Sequence, residues 1–332
     1  MVAFGSATQD IAVDAFRIES AADDVQAAMA SVYIMGYRIA LLVAGAGALN
    51  IADAFNWHIA YLSMAALMAV GVMTVLLRPE PQRHISAQTF EQEARVQQYL
   101  LDSAHLPDWW RNASAWFVGA VVCPFVDFFV RNGRNALMLL LLVGLYKVSD
   151  LAMAAMANPL YIDLGFTLTE IASIGKLFGF AMTIVGGLIG GILVARYGIG
   201  SILVLGAVMI AATNLLFALL AQVGHSIPML MLTISGDNLS NGLASAVFIA
   251  FLSAMTSRQY TATQYALFSS LMTLPGKFLG GFSGIVVESL GYAQFFVIAS
   301  VLGIPAILLT IWAARTGAGI PAMPGNPSNS VS

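Results

Sequence analysis

The sequence is poor in charged side chains. Asp, Glu, Lys and Arg make up only 9% of its 332 residues, whereas 59% are hydrophobic. A soluble domain usually carries about 25% charged residues, so this chain cannot cover a globule of its size with a polar surface. Soluble enzyme folds are therefore excluded, and the composition predicts an all-α protein that crosses a membrane several times.

Other absences exclude further classes of protein. The single cysteine, Cys123, excludes an intramolecular disulfide and a cysteine-rich metal site, and no two of the four histidines have metal-ligand spacing. The 14 Lys and Arg residues are scattered, which predicts no nucleic-acid partner. The sequence contains no nucleophile elbow, P-loop or dinucleotide fingerprint, so we expect neither enzyme activity nor a cofactor.

Long apolar stretches are what the sequence has instead. A transmembrane helix needs roughly 20 apolar residues, because its backbone groups find no water in hydrocarbon. Eight stretches qualify, at residues 28–50, 57–77, 136–158, 170–194, 201–222, 228–255, 266–287 and 292–314. Residues 2–16 form a ninth, shorter stretch, which we interpret as the far end of a partial helix.

The distribution of Lys and Arg predicts the orientation of these spans. Arg17, residues 78–134, Arg196, Arg258 and Arg315 fall in alternate connections, and the connections between them contain no Lys or Arg. The positive-inside bias therefore predicts that this set of connections is cytoplasmic, and with it the C-terminus.

One segment divides the chain. Residues 78–135 carry most of the loop charges, and we predict a cytoplasmic linker there with an interfacial helix near 115–129. The linker separates residues 1–77, the remnant of an N-terminal helical bundle, from residues 136–315, a C-terminal six-helix bundle. Residues 316–332 are predicted to be disordered. A weak repeat relates Tyr37-Arg38 to Gly276-Lys277, which is typical of two-bundle secondary transporters.

Ionisable side chains at bilayer depth are costly, so each is a candidate functional residue. Gln9 is followed by Asp10, Asp14 and Arg17, whose spacing places both carboxylates and the arginine on one helix face. Arg38, in the next span, is a candidate partner for Asp10 or Asp14. This group is either a static ion pair between helices or part of a substrate or proton path.

The lysines within the spans form a second set of candidates. Lys147 and Asp150 lie three residues apart, so they share a face and could neutralise one another, either as a structural pair or as a site. Lys176 and Lys277 have no acidic residue in their own helices. Each must therefore face a wet cavity or a partner on another helix.

Amides and glycines complete the set. Asp237, Asn238 and Asn241 give one helix a polar face, which suits proton exchange and hydrogen bonding to a sugar or peptide, or else contacts between helices. The small-xxx-small pairs within residues 186–191 predict close helix packing.

Six stretches carry a family resemblance. They are SATQDIAVDAFR (6–17), GYR (36–38), RPEP (78–81), YKVSD (146–150), GGIL (190–193) and TQYAL (263–267). Together they resemble the AmpG-type muropeptide permeases of the major facilitator superfamily, and the first stretch is the most specific. The likeness covers nearly the whole chain apart from the tail and the middle of the linker.

The resemblance implies a major facilitator fold with two helical bundles in the bacterial inner membrane. It also implies proton-driven import of anhydromuropeptides, the sugar–peptide fragments released from the cell wall, so the expected partners are this small molecule, protons and membrane lipid. Because the chain begins where the fourth of the family's twelve helices should be under way, we expect the N-terminal bundle to be truncated, leaving about eight full helices and one partial helix.

On this hypothesis Asp10, Asp14 and Asp237 accept a proton or an amine, and Arg38, Lys147 and Lys277 meet carboxylates of the substrate. Two alternatives stay open. The first is transport of another bulky anion, such as acetyl-coenzyme A. The second is a membrane protein that does not transport and acts as a sensor or partner.

Overall fold

A computed structural model describes residues 2–20, 25–77, 114, 117–167, 170–257 and 260–320. Within these ranges the chain is helical and has no β-strand, as predicted. The α-helices are α1 (Val2–Glu19), α2 (Gln26–Leu42), α3 (Ala48–Ala54), α4 (Trp57–Leu77), α5 (Cys123–Asn132), α6 (Ala136–Leu145), α7 (Val148–Asp163), α8 (Gly179–Val223), α9 (Ile227–Met255), α10 (Thr261–Gly280), α11 (Ser283–Leu290), α12 (Tyr292–Val301) and α13 (Ile304–Thr316). Short π-helical turns occupy Val43–Gly47, Val118–Val122 and Ile171–Phe178.

Six helical runs among the described residues are long and apolar enough to cross a membrane. They are Trp57–Leu77, Cys123–Asp163, Ser173–Val223, Ile227–Met255, Thr261–Leu290 and Tyr292–Thr316. Ser173–Val223 has 51 residues, about 77 Å at 1.5 Å per residue and more than twice the ~30 Å of hydrocarbon. Gly198, with φ 81° and ψ 160°, breaks this run into two spans. The protein is therefore an all-α, multi-pass membrane protein, and the six runs contain seven of the eight predicted spans.

The remaining predicted span, residues 28–50, is interrupted. The apolar part of α2, Ala28–Leu41, is shorter than a bilayer-spanning helix. The chain then passes through the π-helical turn Val43–Gly47 into α3, because the small residues of VAGAG hold a regular α-helix only weakly. Residues 78–113, 115 and 116 of the predicted linker and residues 321–332 of the predicted tail lie outside the described residues. The division into domains stays a prediction.

A capping box opens the helical stretch that follows α7. The Thr167 N–H and hydroxyl donate to Glu170 Oε2 at 2.8 and 2.9 Å, and the Glu170 N–H donates back to Thr167 Oγ1 at 3.2 Å. These reciprocal bonds satisfy N–H groups that the first helical turn would otherwise leave free. The two donors of Thr167 also lower the pKa of Glu170.

Helices α8 and α9 approach each other closely through glycine, which confirms the predicted glycine packing. A Cβ atom added at Gly186 would lie 2.1 Å from the Leu239 carbonyl oxygen, and one added at Gly242 would lie 2.1 Å from the Thr183 carbonyl oxygen. Only glycine lets two helix backbones come this near. The contact fixes the spacing between α8 and the face of α9 that carries Asn241.

Serine hydroxyls connect two helix breaks to α7. At the break between α12 and α13, the Gly303 N–H donates to the Ser300 carbonyl at 2.9 Å instead of to the Ala299 carbonyl. The Ala299 carbonyl accepts from the Ser149 hydroxyl at 2.6 Å. Near the α10–α11 break, the Ser283 hydroxyl donates to the Ala152 carbonyl at 2.9 Å. Broken helices are tolerated at membrane depth when protein groups satisfy the backbone in this way. Both contacts anchor α7.

The glycine contact predicts that alanine destabilises the protein at Gly186 but not at the neighbouring Gly187. Gly186→Ala would drive a methyl group into the Leu239 carbonyl, and overpacking of this kind lowers the free energy of unfolding by about 1–3 kcal/mol. At Gly187 the nearest atom would be 3.8 Å away, an ordinary contact, so Gly187→Ala serves as the control. Thermal melting in detergent should show a lower Tm for Gly186→Ala alone. Equal Tm values for the two variants would contradict this account of the α8–α9 contact.

Candidate functional site

A cavity of about 580 Å³ gathers charged residues from distant parts of the chain. Its charged and amide lining consists of Arg38 from α2, Lys147 and Asp150 at the start of α7, and Asp237 and Asn241 from α9. All five are among the candidates that the sequence predicted. The rest of the lining is Tyr37, Leu151, Met153, Ala154, Ala157, Tyr161, Phe217, Met272 and Thr273.

Lys147, Asp150 and Asn241 form a hydrogen-bonded cluster, called here the charge triad. Lys147 Nζ lies 3.3 Å from Asp150 Oδ2, which confirms the predicted pairing of these residues. The Asn241 amide nitrogen donates to both Asp150 oxygens at 2.8 Å, and its Oδ1 accepts from Lys147 Nζ at 3.2 Å. Ser245 adds a donor to Asn241 Oδ1 at 3.1 Å. A break in the helix at Tyr146–Lys147 places both charged residues at the first turn of α7.

The charge triad is buried and carries no net charge. Lys147 is 7% exposed and Asp150 is 8% exposed, so each would be costly alone. The mutual ion pair and the amide of Asn241 offset that cost. The triad therefore presents to the cavity a preorganised group of donors and acceptors rather than a lone ammonium.

Two further charges line the cavity without such compensation. Asp237 is half-buried and close enough to Asp150 and Lys147 to interact with them electrostatically. Arg38 is half-buried as well. Within the described ranges, neither side chain forms a hydrogen bond or ion pair with the protein. The cavity thus offers one carboxylate and one guanidinium whose hydrogen-bonding capacity is open to a ligand.

The predicted cluster on α1 has different partners from those expected. Arg17 Nε lies 3.8 Å from Asp14 Oδ1 on the same helix. Arg38, the candidate partner of these carboxylates, lines the cavity instead. Gln9 and Asp10 are exposed on α1.

The other predicted residues lie outside the cavity lining. Asn238 turns toward α8, where its Oδ1 accepts from the Thr183 hydroxyl at 2.9 Å and its amide donates to the Ile234 carbonyl at 2.9 Å. This is a contact between helices, one of the two alternatives considered for it. Lys277 is exposed on α10. The side chain of Lys176 lies outside the described part of the structure.

Sequence reasoning missed the aromatic walls of the cavity, Tyr37, Tyr161 and Phe217. A signal for one of them was present on α7. The lining residues Lys147, Asp150, Ala154, Ala157 and Tyr161 follow one another at intervals of three and four, so they share one helix face. Extending the face of Lys147 and Asp150 along the helix would have reached Tyr161. No comparable pattern marks Phe217 on α8.

Comparison with known proteins gives a consistent set of relatives. No family model matches the chain. It is 30% identical over 314 residues to "Putative transporter AmpG 4" of Rickettsia conorii, covering 94% of this chain and 70% of the relative. It is 31% identical over 319 residues to "Anhydromuropeptide permease" of Escherichia coli, covering 95% of this chain and 59% of that permease. An uncharacterized protein of Haemophilus influenzae is 33% identical over 323 residues, covering 95% of this chain and 70% of the relative.

The charge triad predicts strong coupling between two substitutions. Lys147→Met leaves the buried Asp150 without its cation and should lower the free energy of unfolding by about 3 kcal/mol. Lys147→Met/Asp150→Asn removes both charges and should recover most of that loss. Unfolding of the purified variants in detergent, compared as a double-mutant cycle, measures the coupling. Losses that simply add in the double variant would show that the two charges act independently.

Proposed function

The chain belongs to the AmpG family of transporters, and on that premise we propose that it is a proton-coupled secondary transporter that imports anhydromuropeptides for cell-wall recycling. The relatives are named as a transporter and a permease, and six helical runs among the described residues can cross a membrane. The protein is thus a membrane transporter and not an enzyme. The substrate and the coupling ion are the parts that we propose.

The proposal extends to the arrangement in the membrane. Helices before and after residues 78–135 form the two bundles of a major facilitator fold in the bacterial inner membrane, with the C-terminus in the cytoplasm. The cavity lining supports this arrangement, because it combines Tyr37 and Arg38 of α2 with residues of α7 to α10. Secondary transporters bind their substrates between two such halves.

The observation that carries the proposal is the mixture of charges in the cavity. A muropeptide stem offers both carboxylates and amines, and Arg38 and Asp237 can bind one of each by charge-assisted hydrogen bonds. Apart from Thr273, aromatic and apolar side chains make up the rest of the lining, which is typical of small-molecule sites that bury most of their ligand.

Proton coupling follows from the two carboxylates that share the cavity. Asp237 and Asp150 line the same cavity, so a proton on Asp237 would relieve repulsion between the two carboxylates. Asp150 is engaged by Lys147 and Asn241, which leaves Asp237 as the group that exchanges the proton. Asp10 and Asp14 on α1, with Gln9, stay candidates for a second part of the proton path, and Lys176 and Lys277 stay candidates for the substrate path.

Transport of a bulky polyanion such as acetyl-coenzyme A fits the cavity less well. Two cations and two carboxylates line it, so its formal charge sums to zero. A ligand with several negative charges would meet Asp150 and Asp237 as well as Lys147 and Arg38. A ligand that carries both signs of charge meets a partner for each.

Uptake into proteoliposomes tests the proposal. With an inward proton gradient and radiolabelled anhydromuropeptide, Asp237→Asn should lower the initial rate at least about tenfold and make it insensitive to the gradient. Arg38→Gln should raise the half-saturation concentration about tenfold, because it removes a charge-assisted hydrogen bond worth about 1.5–3 kcal/mol. Arg315→Gln, at an exposed residue near the end of α13, is the matched control and should behave as the unaltered protein.

Each alternative function has its own outcome in this assay. If acetyl-coenzyme A inhibits muropeptide uptake when it is added at the concentration at which muropeptide itself half-saturates uptake, the result would favour a transporter of bulky anions. Binding of muropeptide without accumulation inside the vesicles would favour a sensor or partner protein. Gradient-dependent uptake that Asp237→Asn leaves unchanged would remove Asp237 from the coupling mechanism.

A further inference from the structure

Four helices meet around the side chain of Arg17. Its guanidinium carbon lies 5.5 Å from the ring centroid of Tyr33 on α2 and 5.5 Å from that of Tyr265 on α10. Its Nη2 donates to Ser253 Oγ on α9 at 3.0 Å. Only 5% of the residue is exposed. One cation on α1 thus contacts α2 on its own side of the predicted linker and α9 and α10 on the other side.

This cluster lies beyond one end of the cavity. Tyr33 precedes the cavity residue Arg38 on α2 by five residues, and Ser253 follows Asn241 on α9 by twelve. These intervals correspond to about 8 and 18 Å along the helices. Because the same helices line the cavity and then converge on Arg17, the contacts of Arg17 close that end.

The contacts of Arg17 suit a closure that opens and shuts as a unit. Among the described residues its Nε and Nη1 atoms have no hydrogen-bond partner, so the two aromatic faces and Asp14, 3.8 Å away, stabilise the charge in their place. Separating α1 and α2 from α9 and α10 would remove the contacts with Tyr265 and Ser253 together and would expose the cation to water. Such a set of contacts suits a two-state closure, in which the cation is either desolvated in the closed state or hydrated in the open one.

The α9–α10 side of the closure is held in place from behind. The Gln264 amide donates to the Pro124 carbonyl and to Asp127 Oδ2, each at 2.9 Å. The Ser257 N–H donates to Gln264 Oε1 at 2.7 Å. Phe128 of α5 packs edge-on against Phe268 of α10, with ring centroids 5.2 Å apart. These contacts tie Ser257 and the first turns of α10 to α5.

We propose that Arg17 is a latch: its contacts with Tyr33, Tyr265 and Ser253 hold one end of the cavity closed, and their release opens that end. The proposal rests on the proposed function to the extent that a transporter must open the two ends of its cavity in turn. Arg17 acts here as a positioning residue, since it lies outside the cavity lining and contacts no residue of the charge triad.

Thiol labelling from each side of the membrane tests the latch without measuring transport. In a Cys123→Ala background, Ala154→Cys places a single reactive thiol in the cavity, where residue 154 is exposed. A membrane-impermeant maleimide is then applied to right-side-out and to inside-out vesicles. Labelling through the Arg17 end should be slow in this parent and about tenfold faster after Arg17→Ala. Labelling from the opposite side should not rise.

Two further variants keep the test specific. Tyr265→Leu removes one aromatic face without removing a charge and should also speed labelling from the Arg17 side alone. Arg196→Ala is the control, because the Arg196 guanidinium lies 5.6 Å over the ring of its own neighbour, Tyr197, and links no two helices. It should leave both labelling rates unchanged.

Several outcomes would overturn the latch. Unchanged labelling in Arg17→Ala and Tyr265→Leu would do so, and so would an equal rise from both sides, which indicates a loosened fold. Failure of the transport proposal can be distinguished from failure of the latch proposal. If the unaltered protein shows no muropeptide uptake but labelling of the Ala154→Cys parent responds to Arg17→Ala from one side only, the latch stands and the transport proposal fails.

Discussion

Charge placed at the depth of a lipid bilayer must be compensated within the protein, and the structure depends on this constraint. Solvation by hydrocarbon is negligible, so each buried ion needs a partner of opposite charge, several dipoles or a wet cavity. Lys147 and Asp150 meet this demand with each other and with Asn241. Arg17 meets it with two aromatic faces, a hydroxyl and Asp14. Arg38 and Asp237 meet it by facing the cavity. The two charges without such protein partners among the described residues, Arg38 and Asp237, therefore mark the place where a ligand or water belongs.

Backbone hydrogen bonding imposes a second constraint that positions these charges. The helix break at Tyr146–Lys147 sets Lys147 and Asp150 at the first turn of α7, and the hydroxyls of Ser149 and Ser283 fix that helix against two further breaks. On the opposite wall, the glycine contact between α8 and α9 is adjacent to Asn241. Asn241 donates two hydrogen bonds of 2.8 Å to Asp150 from a helix whose position against α8 this contact fixes.

The predictions from sequence succeeded where the chemistry is local. The span 57–77 coincides with α4, because length and hydropathy alone define a bilayer helix, and the Lys147–Asp150 pair follows from a spacing of three residues. Contacts between helices were beyond such reasoning. Nothing in the local sequence distinguishes Asn241, which binds Asp150, from Asn238, which binds Thr183 on another helix. The spacing along α1 predicts that Arg17 shares a face with Asp14, which lies 3.8 Å away, but nothing in it points to Tyr265, more than two hundred residues along the chain, which supplies one of the aromatic faces. The spacing of three and four residues along α7 is a local signal that leads from Lys147 and Asp150 to Tyr161.

The central claim is that the cavity between α2 and helices α7 to α10 is where substrate binds. An electron cryo-microscopy structure of the protein in lipid nanodiscs with anhydromuropeptide tests it most directly. The account predicts ligand density inside this cavity, with a carboxylate at hydrogen-bond distance from Arg38 and an amine or a protonated partner at Asp237. Density bound elsewhere, with Arg38 and Asp237 untouched, would contradict it.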